Sequence, residues 1–200
     1  MENGIKQKRG EGMNDIVEAL KARGFEAEAV ATKAEACALV MNEAESAASV
    51  GWGGSETIKQ IGARELLLKS GKEIRDHQLS CDLFLLSANA LLRDGRIVNI
   101  DGNGNRVAAS ICGPKRVVYV IGRNKVVDGG VDAAIGRIKA KACPPNCRRL
   151  GKRTPCATTG CPGGTGCSSP DRICKVTAVF DRKPTGVSAK VILVDEDLGY

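Results

Sequence analysis

Aromatic residues are nearly missing: three phenylalanines, two tyrosines and one tryptophan make up 3% of the chain. Stacking of bases on aromatic faces is therefore a poor reading, although the formal charge is +7 and the pI 9.0. The basic residues are spread out, apart from "KQKR" near the start and "RRLGKR" at Arg148–Arg153, both of which read as solvated faces. No nucleic-acid partner is expected. Histidine is scarce as well. The single His77 excludes a histidine-rich metal centre, and it reads as a surface or internally satisfied side chain rather than a general base. No apolar run approaches the roughly 20 residues of a membrane-spanning helix, so no membrane partner is expected. No apolar segment follows the basic N-terminal residues, so a secretory leader is not expected and the cytoplasm is the expected location. Gly-Lys-Ser/Thr of a Walker loop is missing, and so is a serine-hydrolase elbow.

What is present fits one globular domain over residues 1–200, with 42% apolar residues and enough length to bury a core without disulfides. Residues 1–12 are expected to be flexible, and residues 143–174 to form a cysteine-rich insertion loop. Met13, Ile16, Val17 and Leu20 mark a helix face that Gly24 stops. "FEAEAVA" alternates as a strand, and "TKAE" from Thr32 is a capping box with Glu35. "ASVGWGGSETIKQIG" reads as strand, glycine turn and helix, with Ser55 or Thr57 as the cap. "CDLFLLSANAL" and "RVVYVIG" read as strands covered on both faces. "LLRDGRIVNID" carries a hairpin signal at Asp94-Gly95. "GGVDAAIGRIKAKA" is helical through Val131, Ile135 and Ile138, and the last 26 residues contain two strands joined by a proline turn. Helices alternating with apolar strands predict a three-layer α/β/α sandwich with a mostly parallel sheet. The C-terminal strands are expected to form an antiparallel pair.

Two segments stand out for polar recognition. In "GWGGSET" (Gly51–Thr57) a glycine turn after a strand lets backbone N–H groups approach an anion, with the Ser55 and Thr57 hydroxyls as further donors; a plain capped turn is the alternative. "DGNGNR" (Asp101–Arg106) gathers Asn103, Asn105 and Arg106, where Arg106 either clamps a carboxylate or phosphate or pairs with Asp101.

The nine cysteines are an odd number, which argues against a fully paired disulfide framework. Cys156, Cys161, Cys167 and Cys174 crowd one glycine- and proline-rich stretch, enough thiols for zinc or an iron–sulfur cluster. Their spacing matches neither a zinc ribbon nor a ferredoxin run, so redox thiols and structural packing stay open beside a metal site. Cys143 and Cys147 lie in "CPPNC", where the prolines speak against a regular helix. Cys37, Cys81 and Cys112 read as buried small hydrophobes.

"SVGWGGSETIKQIG", "LLSANALLRDGRIVNIDGNGNRVAASICGPKRVVYVIGRNKVV" and "TPC…SPDRIC" resemble the lactate-utilisation (LUD-domain) family, from about Met13 to the last strands. The resemblance implies a fold similar to ribose-5-phosphate isomerase, glucosamine-6-phosphate isomerase and the CoA transferases. It puts Gly53, Gly54, Ser55 and Thr57 on one wall of a ligand site and Asn89, Asn103, Asn105 and Arg106 on another. It further implies an accessory role in a bacterial L-lactate oxidising system, binding a small anionic ligand or an iron–sulfur partner subunit. The rival is an isomerase- or transferase-like enzyme acting on a phosphorylated sugar or CoA ester, for which Glu56 and Asp101 are the only carboxylates at hand. Whether the protein is catalytic, and whether it forms a homo-oligomer, stays open. Two features depart from the family pattern. The connection after His77 is short, and "CPGGTGC" stands where relatives carry Cys-x-x-Cys.

Overall fold

The computed structural model describes residues 2–76, 78–162 and 167–200, with side chains in the first helix from Gly12 onward. His77 lies outside the described residues.

Helix α1 (Glu2–Ala22) buries Met13, Ile16, Val17 and Leu20. Gly24, at φ +86°, closes it by donating to the Lys21 carbonyl, while the Phe25 N–H returns to Leu20 at 3.2 Å. This left-handed close satisfies carbonyls that a helix end leaves open. Strand β1 (Glu26–Val30) follows, then α2 (Lys33–Glu45), where the expected capping box forms: the Thr32 hydroxyl accepts from the Glu35 N–H, and the Glu35 carboxylate accepts from the Thr32 N–H. Strand β2 (Ser49–Trp52) runs into the glycine turn and α3 (Glu56–Gln60), which Ser55 caps. Next come α4 (Ala63–Lys69), β3 (Glu73–Ile74), a 3-10 turn at Gln78–Ser80 and β4 (Leu83–Leu86). Strands β5 (Ala90–Leu92) and β6 (Ile97–Asp101) form the hairpin expected at Asp94-Gly95. Helix α5 (Asn105–Ala109), β7 (Arg116–Gly122), a 3-10 turn at Arg123–Lys125 and β8 (Val126–Val127) lead to α6 (Val131–Arg137). A π-helical turn (Ile138–Ala142) joins α6 to α7 (Cys143–Arg149). The short α8 (Pro155–Thr158) and strands β9 (Val176–Phe180) and β10 (Ser188–Val194) complete the chain.

The main sheet has six strands in the order β1-β10-β7-β4-β2-β3, all parallel. A second sheet, β8-β5-β6-β9, is mixed. Strand side chains alternate between faces. Leu83, Leu85, Val118, Val120 and Ile192 meet α2, α3 and α4, while Phe84, Leu86, Val117, Tyr119 and Val191 meet α1 and the inner face of the second sheet. Its outer face, with Ala90, Leu92, Val98 and Ile100, packs on α6, the π turn and α7. The α/β sandwich with a mostly parallel sheet is thus present, and the second sheet shares the covering of one face with helices.

Four expectations are corrected. "CDLFLLSANAL" is two strands in two sheets, β4 and β5. The break falls at Asn89, whose N–H donates to Asn99 Oδ1 at 2.9 Å and whose Oδ1 accepts from the Ile100 N–H at 2.9 Å, so the chain is drawn to β6. The C-terminal strands do not pair: β10, apolar on both sides, lies between β1 and β7, whereas β9, with Val176 exposed, edges the second sheet. "CPPNC" is helical, because its prolines fall in the first turn of α7, where no intrahelical N–H donor is needed. Cys112 is exposed, while Cys37 and Cys81 are buried as expected.

Candidate functional site

The carboxyl ends of the strands of a parallel sheet are where α/β proteins place their ligands. Here a cavity of about 460 Å³ opens beyond β2 and β6, and its lining includes Gly53, Gly54, Ser55, Asn89, Asn103, Asn105 and Arg106. The two sequence segments meet closely. A Cβ on Gly53 would stand 3.4 Å from Arg106 Cδ, so the turn and the arginine stem are in van der Waals contact. Thr57, expected on the same wall, lies behind it: 1% exposed, its hydroxyl donates to the Leu198 carbonyl at 3.3 Å.

Arg106 does not pair with Asp101. Its Nη2 donates to Asn89 Oδ1 and to the Ile100 carbonyl, both at 2.8 Å. The Asp101 carboxylate instead accepts from the backbone N–H groups of Gly102 (2.8 Å) and Val107 (3.1 Å). No carboxylate among the described residues forms an ion pair with the guanidinium, and desolvation by burial pushes its pKa down. Asp101 therefore positions the segment that carries Arg106, and the arginine keeps donors for the cavity.

Sequence reasoning missed the far wall. The π turn and α7 supply Ile138, Ala142, Cys143, Asn146 and Arg149, and the chain beyond adds Leu150 and Lys152. Arg149 donates to Asn146 Oδ1 at 2.9 Å and stands 3.6 Å from Glu56. Gln78 also lines the cavity, and its Oε1 is buried with no partner among the described residues. A ligand O–H or N–H placed there would satisfy it. The cavity thus offers Arg106 and Lys152 as cations, with Arg149 shared with Glu56 and the Asp101 carboxylate also in the lining, and one waiting acceptor.

A second cluster lies behind the far wall. Cys143, Cys147 and Cys156 are buried in one apolar group, with Cys161 and Cys174 packed against it. Cys147 Sγ and Cys156 Sγ are 3.6 Å apart, in contact but not bonded. Burial pushes the Cys143 thiol up to about 12 and the Cys147 thiol up to about 11. Cys143 and Cys147 thus join the cysteines expected to cluster, while Cys167 is half-buried apart from that apolar group. Two sulfurs on one tetrahedral zinc, with bonds of about 2.3 Å, stand roughly 3.8 Å apart. The Cys147–Cys156 pair meets that spacing, but no group of three or more His, Cys, Asp or Glu among the described residues is arranged to hold a metal.

Buried Lys125, also missed, sits at the ends of the central strands. Its Nζ donates to Thr57 Oγ1 and to Ser87 Oγ, each at 2.7 Å, and the residue is 3% exposed. The only sequence sign was a lysine in the turn after a buried strand.

The fold is an α/β domain built on a parallel sheet, with a cation-lined cavity at the sheet's carboxyl edge. The chain belongs to the LUD domain family, whose profile matches residues 13–194. Among solved structures it is similar to a DUF162 family protein from Deinococcus radiodurans. The likeness has a TM-score of 0.55 at 15% identity and covers 93% of this chain and 98% of that one, which shows a shared fold. No curated protein matches the sequence. No helix among the described residues is long and apolar enough to cross a membrane.

Proposed function

We propose that this LUD-domain protein is a binding component of a lactate-utilisation system, and that its cavity takes a small anionic ligand held by Arg106. The observation that carries the reading is the Arg106 guanidinium at the cavity wall with no carboxylate ion pair among the described residues. A half-buried cation with no direct carboxylate partner, and only the longer-range attraction of Asp101, gains from an anion that completes it. Lys152 extends the positive wall, and Arg149 adds a cation shared with Glu56. The enzyme reading is weaker, because both candidate carboxylates are engaged: Asp101 by two backbone N–H groups and Glu56 by Arg149. Calorimetric titration with inorganic phosphate, sulfate and acetate tests the proposal. Saturable binding that weakens with added salt supports it, and the same heats in Arg106→Met overturn it.

A second reading concerns the thiols. The 3.6 Å approach of Cys147 and Cys156, with Cys143, Cys161 and Cys174 packed around them, favours a soft-cation site that draws in further sulfurs on binding. Zinc, or an iron–sulfur cluster in anaerobic material, is the expected occupant. Metal analysis of anaerobically purified protein tests it. About one zinc or one cluster per chain, lost in Cys147→Ser, is expected; metal-free protein that takes up neither under reducing conditions overturns it.

A further inference from the structure

Four of the central parallel strands end around one side chain. Lys125 follows β7, Ser87 follows β4, Thr57 lies in the helix after β2, and Leu198 and Gly199 lie beyond β10. Among the described residues the Lys125 amine has two hydroxyl acceptors at 2.7 Å and no carboxylate in contact, and the nearby charged groups, Arg137 and Arg106, are both cations. An ammonium there would carry a third N–H with no acceptor among the described residues. A neutral amine donates its two N–H groups to Thr57 and Ser87 and keeps a free lone pair. Burial and the two arginines bring its pKa down to about 7, in line with that geometry.

Ser87 and Asn89 tie this amine to the anion site. Ser87 holds Lys125, and Asn89, two residues on, holds Arg106 at 2.8 Å. Over the amine lies the tail from Asp195 to Tyr200. It is pinned by Arg123 to Asp195 and Asp197, by Asn124 to Leu198 and Gly199, by Gln60 to the Gly199 N–H and by Arg137 to the Tyr200 carbonyl. At Gly199 the strap runs very close: a Cβ there would meet Thr57 Oγ1 at 2.5 Å and Lys125 Nζ at 3.2 Å. Apart from Gln60, these fastenings come from the Arg123–Lys125 turn that presents the lysine and from Arg137 of α6.

We propose that Lys125 is a carbonyl-reactive amine, that it forms an imine with a small anionic aldehyde or ketone whose negative group is held by Arg106, and that the tail is the strap that lifts to admit it. The proposal rests on the anion site proposed above. In the step, the Lys125 nitrogen bonds to the carbonyl carbon. Both amine protons leave with the carbonyl oxygen as water, and a C=N bond remains. Nothing is oxidised or reduced.

The test uses glyoxylate as the anionic probe and acetaldehyde as the neutral one, each trapped with cyanoborohydride at pH 7.5 and mapped by peptide mass spectrometry. Glyoxylate is expected to label Lys125 at least tenfold faster than any exposed lysine. Gly199→Ala, which lifts the strap, and Arg123→Ala, which unpins it, should each speed labelling several-fold. Arg106→Met should slow glyoxylate labelling tenfold or more and acetaldehyde labelling far less, the smaller loss reflecting the higher proton affinity of Lys125 once one of its two neighbouring cations is gone. Absence of a Lys125 adduct while surface lysines react overturns the proposal, and if glyoxylate still binds calorimetrically in an Arg106-dependent way, the anion site stands without it. Equal labelling of Lys125 by both probes, indifferent to Arg106, overturns the anionic-substrate assignment together with the anion site. Labelling of Lys125 that Gly199→Ala and Arg123→Ala both leave unchanged overturns the strap.

Discussion

Replacing Arg106 with methionine separates binding from folding. The variant keeps the apolar stem against Gly53 but removes the guanidinium that donates to Asn89 Oδ1 and the Ile100 carbonyl at 2.8 Å each. Asn89 Oδ1 keeps the Ile100 N–H at 2.9 Å, so the acceptor chiefly left open is the Ile100 carbonyl. An open buried acceptor costs about 1–3 kcal/mol. Relief from desolvating the guanidinium offsets part of this, so stability should fall by no more than about 2 kcal/mol. The bound anion loses a charge-assisted hydrogen bond worth about 1–3 kcal/mol, which is roughly a 5- to 150-fold rise in Kd. Arg106→Lys should recover only part of the affinity, since an ammonium keeps the charge but not the fork. Titration calorimetry with phosphate reads the first effect and urea unfolding the second. Unchanged phosphate affinity in a folded Arg106→Met protein would refute the reasoning, and so would a variant that binds phosphate normally yet loses several kcal/mol of stability, which would make Arg106 a structural residue.

Three further outcomes are expected. Thr32→Ala removes one half of the capping box of α2 and should lower stability by about 1 kcal/mol in urea melts without touching anion affinity; no change would mean the cap adds nothing. Gly51→Ala should destabilise by about 1–3 kcal/mol, because a Cβ there would stand 2.9 Å from Cys81 Sγ and 3.2 Å from the Arg75 carbonyl, and an unaltered melt would show that β2 and the Cys81 segment can part at no cost. For Lys125, with a folded-state pKa of about 7 against 10.5 unfolded, the unfolded chain binds the extra proton between those values, so stability rises with pH across that window and is flat below it. Wild type should therefore gain on Lys125→Met between pH 7 and 9.5, by a few kcal/mol at most; parallel stability curves would place the ammonium in solvent.

Much of the architecture was legible because it is local. Period and caps alone located the part of α1 from Met13 to its Gly24 close, α2 with its Thr32–Glu35 box, and the hairpin at Asp94-Gly95. The apolar run of β7 already implied a strand covered on both faces of a parallel sheet. The Gly51–Thr57 turn and the Asn-Gly run could be marked as candidate segments from composition, but their pairing as two walls was implied only by the family resemblance. What the tertiary structure decided is which partners distant residues find. "CDLFLLSANAL" has one apolar pattern, yet it divides between two sheets at Asn89, which bonds to Asn99 and Ile100, and no periodicity encodes hydrogen bonds made ten or eleven residues away. β10 enters the centre of the main sheet rather than pairing with β9, because strand order depends on which long-range contacts bury both of its faces. Cys143 and Cys147 join Cys156 through the packing of α7 on the second sheet, not through spacing. Lys125 acquires its chemistry only when four strand ends close around it and water is excluded, because desolvation is a property of the enclosure and not of the residue.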